Sequence, residues 1–391
     1  MCTLMIDTTF GEDEMKSFAP KALMKICGQS MYGYPACAAL KAGISEYMII
    51  GEKENFKEET CYESIEKAVS STNANLYLYV RADMPFIESE SIKGMLEYQK
   101  ASQSDVVALY QLDEDGDELF SHMALITREK IVSEKDVNSV IQRAEKEETL
   151  IKAYSQSDEE TFCVCDRCDL SVAESIMRGR INEELMLSGV TMIDPMTAYI
   201  AADVKIGMDT VIFPNVMLES GTVIGERVSV GANTTIHNST IGDDCQILSS
   251  VIIDSEIKHG TRLGPFAYIR PNSHIGPNAK IGDFVEVKNS TIGEKTSVSH
   301  LTYIGDSDVG SHINFGCGCV TVNYDGKNKY RCNIGDNSFI GCNTNLVAPV
   351  TVGKGAYIAA GSTITDEVPK DTLAIARARQ VNKTGWKDKR K

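Results

Sequence analysis

The second half of the chain repeats with a period of six. Ile206-Gly207, Ile224-Gly225, Val230-Gly231, Ile241-Gly242, Leu263-Gly264, Ile275-Gly276, Ile281-Gly282 and Ile292-Gly293 mark it. Ile334, Ile340, Leu346, Val352, Ile358 and Ile364 then follow at unbroken intervals. Such a period fits neither an amphipathic helix nor a strand that alternates every second residue. It predicts a hexapeptide β-helix, in which each repeat supplies a short strand and a corner. Aliphatic side chains stack inward as ladders, while Gly and other small residues turn the corners. Unrelated β-hairpins would not hold the interval through so many consecutive repeats.

At one place the repeat breaks altogether. Residues 298–330, "VSHLTYIGDSDVGSHINFGCGCVTVNYDGKNKY", carry His300, Tyr303 and Asn314, and the hexads fail between Thr321 and Ile334. An insertion in a coil must leave the stack as a loop, with Asp325-Gly326 supplying the turn. A loop standing off a rigid prism is a natural place for a binding site. After Asp371 the repeat ends in a basic tail, "RARQVNKTGWKDKRK". Such a tail is either a solvated end or a reach toward an anionic ligand, with Arg377 closest to the coil.

The first half reads as mixed α/β. "ANLYLYVRADMP" and "SDVVALYQL" predict buried strands, and "SIKGMLEYQKA" predicts a helix with Ile92, Met95 and Leu96 inward. "LSVAESIMRGRINEELMLSGV" predicts a long helix stopped at Gly189. The expected organisation is an α/β domain over 1–165, a linker helix over 166–189, a β-helix over 190–370 and a basic tail over 371–391.

Charge and composition narrow the function. A net charge of -16 argues against binding nucleic acid through its phosphates. No apolar run is long enough to span a bilayer. The acidic start "MCTLMIDTTFGEDEM" has no signal-peptide pattern, so a cytoplasmic protein with reduced thiols is expected. Cys163, Cys165 and Cys168 in "FCVCDRCDL" have metal-like spacing, but no His lies nearby as a fourth ligand. Ordinary thiols are the expected reading there, and no metal site is expected.

Residues 190–386 resemble the acetyltransferase half of the bacterial bifunctional N-acetylglucosamine-1-phosphate uridyltransferase/glucosamine-1-phosphate acetyltransferases. The resemblance rests on "GPFAYIRP", "GDFVEVKNS", "SHLTYIGD", "NFGCGCVTVNYDGKNKY", "LVAPVTVGKGAYIAAGSTIT" and "LAIARARQ", in order over half the chain. It implies a left-handed β-helix, a homotrimer and acetyl transfer from acetyl-CoA to glucosamine-1-phosphate, with no magnesium needed for that step. By position, His300 matches the general base; imidazoles titrate near neutral pH and can take the proton of an ammonium. Arg270 and Lys288 match the cations on the sugar phosphate, and Tyr303 and Asn314 match residues that hold the sugar. Cys317, Asn323, Tyr324, Cys342, Ala360 and Arg377 match coenzyme contacts, with Lys329 as a further cation. Cys317 and Cys342 replace the small Ala and Ser usual at their positions.

The first half resembles the family's uridyltransferase domain, a Rossmann-like α/β sheet, in outline. "PKALMKICGQSM" matches its Pro-Lys segment, and Asp83 matches its metal-binding Asp. Where the family has a Gly-rich phosphate loop, this chain has "DTTFGEDEM", residues 7–15. Glu12, Asp13 and Glu14 replace Gly, Thr and Arg there, and three carboxylates repel a triphosphate. Cys165 aligns with the second metal ligand, an Asn in the family. The expectation is a degenerate nucleotidyltransferase half beside a working acetyltransferase half. The alternatives are a fully bifunctional enzyme that also transfers uridylate from UTP, and a non-catalytic trimeric partner of an active homologue.

Overall fold

The computed structural model describes residues 2–10, 15–57, 59–113, 115–134, 136–155 and 157–386. The chain divides into two units, Met1–Met177 and Arg178–Lys391. In the second unit the six-residue period becomes a three-sided coil. Strands of two to four residues form sheets of 11, 10 and 9 strands. Each strand pairs in parallel with the one a full coil later, as Val211 with Ser229 and Ser229 with Gln246. The architecture is the left-handed parallel β-helix that the hexads imply.

The hexad aliphatics are its core. Ile334, Ile340, Leu346, Val352, Ile358 and Ile364 are each at most 4% exposed, within one cluster running from Val190 to Val368. Burying each such side chain contributes about 1.5–3 kcal/mol. The glycine that so often follows is where successive coils touch: a Cβ on Gly293 would lie 2.4 Å from the Gly310 carbonyl carbon. Other corners take a left-handed residue, commonly Asn, as at Asn233, Asn272 and Asn278. Asn adopts that conformation more readily than most residues with a Cβ.

Register measures the insertion. From Phe339 to its partner Tyr357 takes 18 residues, whereas Asn314 to Phe339 takes 25. The surplus forms a small hairpin: Tyr324 bridges Lys329, Asp325 and Asn328 close the turn, and the Tyr330 N–H donates to the Asn323 carbonyl. Arg331 pins its return, with two hydrogen bonds to Asp308 at 2.9 and 2.6 Å and one to the Asn289 carbonyl at 3.1 Å.

The stack runs beyond the expected limit at 370. Leu373–Ala374 pairs with Tyr357–Ile358, and the Thr363 N–H donates to the Ala376 carbonyl. Leu373 takes the outward position, 59% exposed like its partner Tyr357 at 48%, while Ala374 takes the inward one, half-buried against the core, so a small side chain rather than a large aliphatic ends the ladder. Hydrophobic periodicity could not reveal it.

The first unit is a seven-stranded mixed sheet in the order Cys61–Tyr62, Tyr47–Ile50, Cys2–Asp7, Leu76–Arg81, Glu118–Thr127, Val106–Leu112 and Leu150–Tyr154. Only Glu118–Thr127 runs antiparallel to its neighbours. Two apolar clusters form around it, one including Leu4, Ile6 and Leu78, the other Met5, Tyr77 and Tyr79. The helix with Ile92 and Met95 inward spans Ser89–Ser102. The long helix spans Arg167–Leu187 and stops before Gly189, whose φ of 101° is left-handed. The division between the units falls inside this helix.

Candidate functional site

Strand register aligns several of the candidate residues on one corner of the coil. Asp283 pairs with His300, and the pairing of Val298 with Phe315 sets His300 above Cys317. Phe315 pairs with Ile340, and Ile340 with Ile358, which carries the column on through Cys342 and Ala360. The backbone keeps step: the carbonyls of Asp283, His300, Cys317 and Cys342 each accept an N–H from the next coil, donated by Leu301, Gly318, Asn343 and Gly361. The column therefore reads Asp283, His300, Cys317, Cys342, Ala360. Arg377 lies at its far end, with its Cδ 3.8 Å from where a Cβ on Gly361 would stand. At about 4.8 Å per coil, Arg377 and His300 are roughly 19 Å apart.

His300 is exposed, and its Nδ1 lies 2.6 Å from Asp283 Oδ1. That hydrogen bond, with one from the backbone, holds the Asp283 carboxyl below the usual carboxylate range. A neutral imidazole donating through Nδ1–H presents its lone pair at Nε2, the arrangement a general base needs. Asp283 is a residue that sequence reasoning missed. Its signal was its place in "GDFVEVKNS", 17 residues, or one coil, before His300.

The next corner is cationic. Ile269 pairs with Val287, so Arg270 and Lys288 stack on successive coils, and Lys288 pairs with Gly305. Lys329, in the hairpin, lies close enough to Lys288 for their charges to repel. Its charge, with some desolvation and the nearby Arg270, holds Lys288 below the ordinary lysine range, although Asp306 opposes this. Two ammonium groups held so close make a place for an anion. Arg270 is paired with Glu286 at 2.7 Å, a partner that sequence reasoning also missed.

Between the two corners lies the short strand Tyr303–Gly305. The Tyr303 ring lies over Gly305, where a Cβ would meet its Oη at 2.2 Å. Only glycine leaves that phenol in place.

Asn323 is buried at 8% exposed, and its amide nitrogen donates to Asp306. Asn289 donates to the same carboxylate at 2.5 Å. Burial works against the Asp306 charge, but these amides, with Lys288 and Lys329, outweigh it and keep the carboxyl below its usual range. Asn323 thus anchors the base of the hairpin. Tyr324 is exposed, its hydroxyl donating to the Gly326 carbonyl at 2.6 Å. Asn314 stands on the neighbouring face, outward from its strand and in register with Phe339, which stacks on Tyr357 at 4.4 Å. The structure therefore brings Arg270, Lys288, Tyr303 and Lys329 to one face and its edge. It aligns His300 with Cys317, Cys342 and Ala360 at the other edge, and sets Asn314 around the corner.

In the first unit Asp83 is 2% exposed and has both oxygens engaged by cations. Lys21 Nζ lies 2.6 Å from its Oδ2, while Arg81 donates to Oδ1 at 3.0 Å and to Oδ2 at 2.5 Å. Burial disfavours the Arg81 charge, but Asp83 more than restores it. The guanidinium also sits 4.8 Å from the Phe10 ring centre. Magnesium takes carboxylate oxygens and retains several waters. Here one carboxylate has both oxygens engaged by two cations, and the neighbouring candidate ligand is the thiol of Cys165. Among the described residues, no group of three His, Cys, Asp or Glu side chains can hold a metal. Placing magnesium on Asp83 would require displacing one of these cations from it. Glu12, Asp13 and Glu14 lie outside the described residues.

Comparison with known proteins agrees with this division. The family model "Bacterial transferase hexapeptide (six repeats)" matches residues 203–238, 254–289 and 331–366. A second model, "Cytidylyltransferase", matches residues 48–186, starting beyond the first strand and the segment 7–15. The first half is thus of nucleotidyltransferase type, and nothing in the match marks it as degenerate. The bifunctional protein GlmU of Clostridium kluyveri is 40% identical over 449 residues, covering 98% of each chain. Those of Clostridium botulinum and a Geobacillus species are each 38% identical, covering 100% and 96% of this chain and 98% and 95% of theirs. An alignment of 449 positions against 98% of 391 residues leaves roughly 66 positions that face no residue here. With identity at this level over nearly its whole length, the chain belongs to the family of bifunctional GlmU proteins.

Proposed function

We propose that the chain transfers acetyl from acetyl-CoA to the amine of glucosamine-1-phosphate, giving N-acetylglucosamine-1-phosphate for UDP-N-acetylglucosamine and cell-envelope synthesis. The observation that carries this reading is His300, oriented by Asp283, one short strand away from the Lys288–Lys329 pair. The sugar phosphate sits against Lys288, Lys329 and Arg270, with Arg270 released from Glu286. Tyr303 and Asn314 hold the ring. The amine arrives as ammonium, and His300 Nε2 takes its proton. The free amine attacks the thioester carbonyl, the tetrahedral intermediate expels the coenzyme thiolate, and the imidazolium gives its proton to that sulfur; the nitrogen's second proton then passes to His300 and on to water. Small residues along Cys317, Cys342 and Ala360 leave room for the pantetheine arm, and Arg377 meets the phosphates at its far end. Hydrogen-bonded orientation of the base supports catalysis over the reading of a non-catalytic partner.

The phosphate subsite makes the reading testable. Glucosamine-1-phosphate is expected to be acetylated far faster than glucosamine. Lys288→Met should raise the KM for the phosphorylated acceptor at least tenfold, corresponding to the loss of about 1.5–3 kcal/mol from a charged hydrogen bond. Equal rates on both acceptors would overturn the assignment.

For the first unit, the pairing of Asp83 with Lys21 and Arg81 supports a domain that does not transfer uridylate, the fully bifunctional enzyme being the alternative. The flat sides of the three-sided coil support a homotrimer, since cyclic symmetry closes such faces on one another. Light scattering should give three times 42.8 kDa. An active species of 42.8 kDa would refute it. Among the described residues no helix is long and apolar enough to cross a membrane.

A further inference from the structure

Cys317 and Cys342 occupy equivalent places on successive coils. Phe315 pairs with Ile340 two residues earlier, and the Asn343 N–H donates to the Cys317 carbonyl at 2.8 Å, so the register holds through the corner. A Cβ on Gly316 would lie 2.8 Å from the Cys342 Cα and equally close to its Sγ, which places that sulfur against Gly316, the residue before Cys317. Neighbouring strands stand about 4.8 Å apart, inside the Cα separations of roughly 4.4–6.8 Å that a disulfide spans. Cys342 is exposed and Cys317 half-exposed.

A third thiol in the same corner behaves differently. Cys319 is 2% exposed and its Sγ donates to the Gly341 carbonyl at 3.2 Å. Burial pushes that thiol up to about 11, which keeps it protonated and inert. The reactive pair is therefore the outer one.

We propose that Cys317 and Cys342 form an oxidisable pair that reacts with low-molecular-weight disulfides to give an intrachain disulfide on the coenzyme column. The Cys342 thiolate attacks one sulfur of the disulfide RSSR, the S–S bond breaks, and one RS⁻ leaves to be protonated. The Cys317 thiolate then attacks the Cys342 sulfur of this mixed disulfide and expels the second RS⁻. Two protein thiols lose two electrons, and RSSR is reduced to two RSH. The cross-link draws the corner together next to His300. Its effect on acetyl transfer rests on the proposed placement of the coenzyme along this column; its formation does not.

The test incubates the native full-length protein with glutathione disulfide, maps its peptides without reduction, and assays acetyl transfer before and after dithiothreitol. Expected is a peptide pair joined through Cys317 and Cys342, absent in Cys342→Ser, together with a loss of transfer of tenfold or more that dithiothreitol reverses. Glutathione adducts on the exposed Cys37 and Cys168 with no Cys317–Cys342 cross-link would overturn the proposal. A cross-link that leaves acetyl transfer unchanged would uphold the disulfide and overturn the coenzyme placement instead.

Discussion

Replacing His300 with alanine is expected to lower acetyl transfer by about 10²–10⁴-fold, the usual contribution of a positioned general base. The loss should fall on kcat and leave KM for both substrates nearly unchanged, because the imidazole acts on the proton rather than on binding. Folding should be almost unaffected. The side chain stands on an exposed corner outside the aliphatic ladders, and the backbone N–H and carbonyl contacts of that coil remain. Asp283→Asn should cause a smaller loss, since an amide can still hold the ring but no longer selects the tautomer with its lone pair at Nε2. Near-normal turnover in His300→Ala would remove the base from the account.

The second large effect is an absence. With UTP, magnesium and N-acetylglucosamine-1-phosphate, no pyrophosphate release above background is expected, and calorimetry should show no saturable UTP binding. In the first unit, Asp83 has given both oxygens to Arg81 and Lys21. A divalent ion would have to displace a buried, hydrogen-bonded cation from this carboxylate. A micromolar dissociation constant for the magnesium–UTP complex would restore the bifunctional alternative that the relatives' name carries.

How much of this was legible beforehand depended on periodicity. The inward aliphatics recur at six because each side of the prism is one hexad long, so the ladders and the outward hairpin could be read directly. Pairing across coils could not. Gln246 meets Arg262 after 16 residues, Ser229 meets Gln246 after 17, and Val211 meets Ser229 after 18. With coil length varying by two residues, the one-coil spacing of Asp283 from His300 is a signal visible only once the register is known, and Asp283 went unnoticed. Asn323 was expected on the coenzyme, and its burial against Asp306 follows from the same hidden register. Arg81 is a different case. Arg81 ends its strand and Asp83 stands in the turn just beyond it, two residues on, so a local ion pair was open to inspection in "VRAD".

The central claim is acetyl transfer at the corner shared by His300 and the Lys288 edge. Its most direct measurement follows free thiol released from acetyl-CoA by the purified full-length protein, with and without glucosamine-1-phosphate, in the absence of UTP and magnesium. Thiol release that requires the sugar phosphate, matched mole for mole by N-acetylglucosamine-1-phosphate in the mass spectrum, is the predicted result. A folded protein that releases no thiol, or releases it equally without the acceptor, would contradict it.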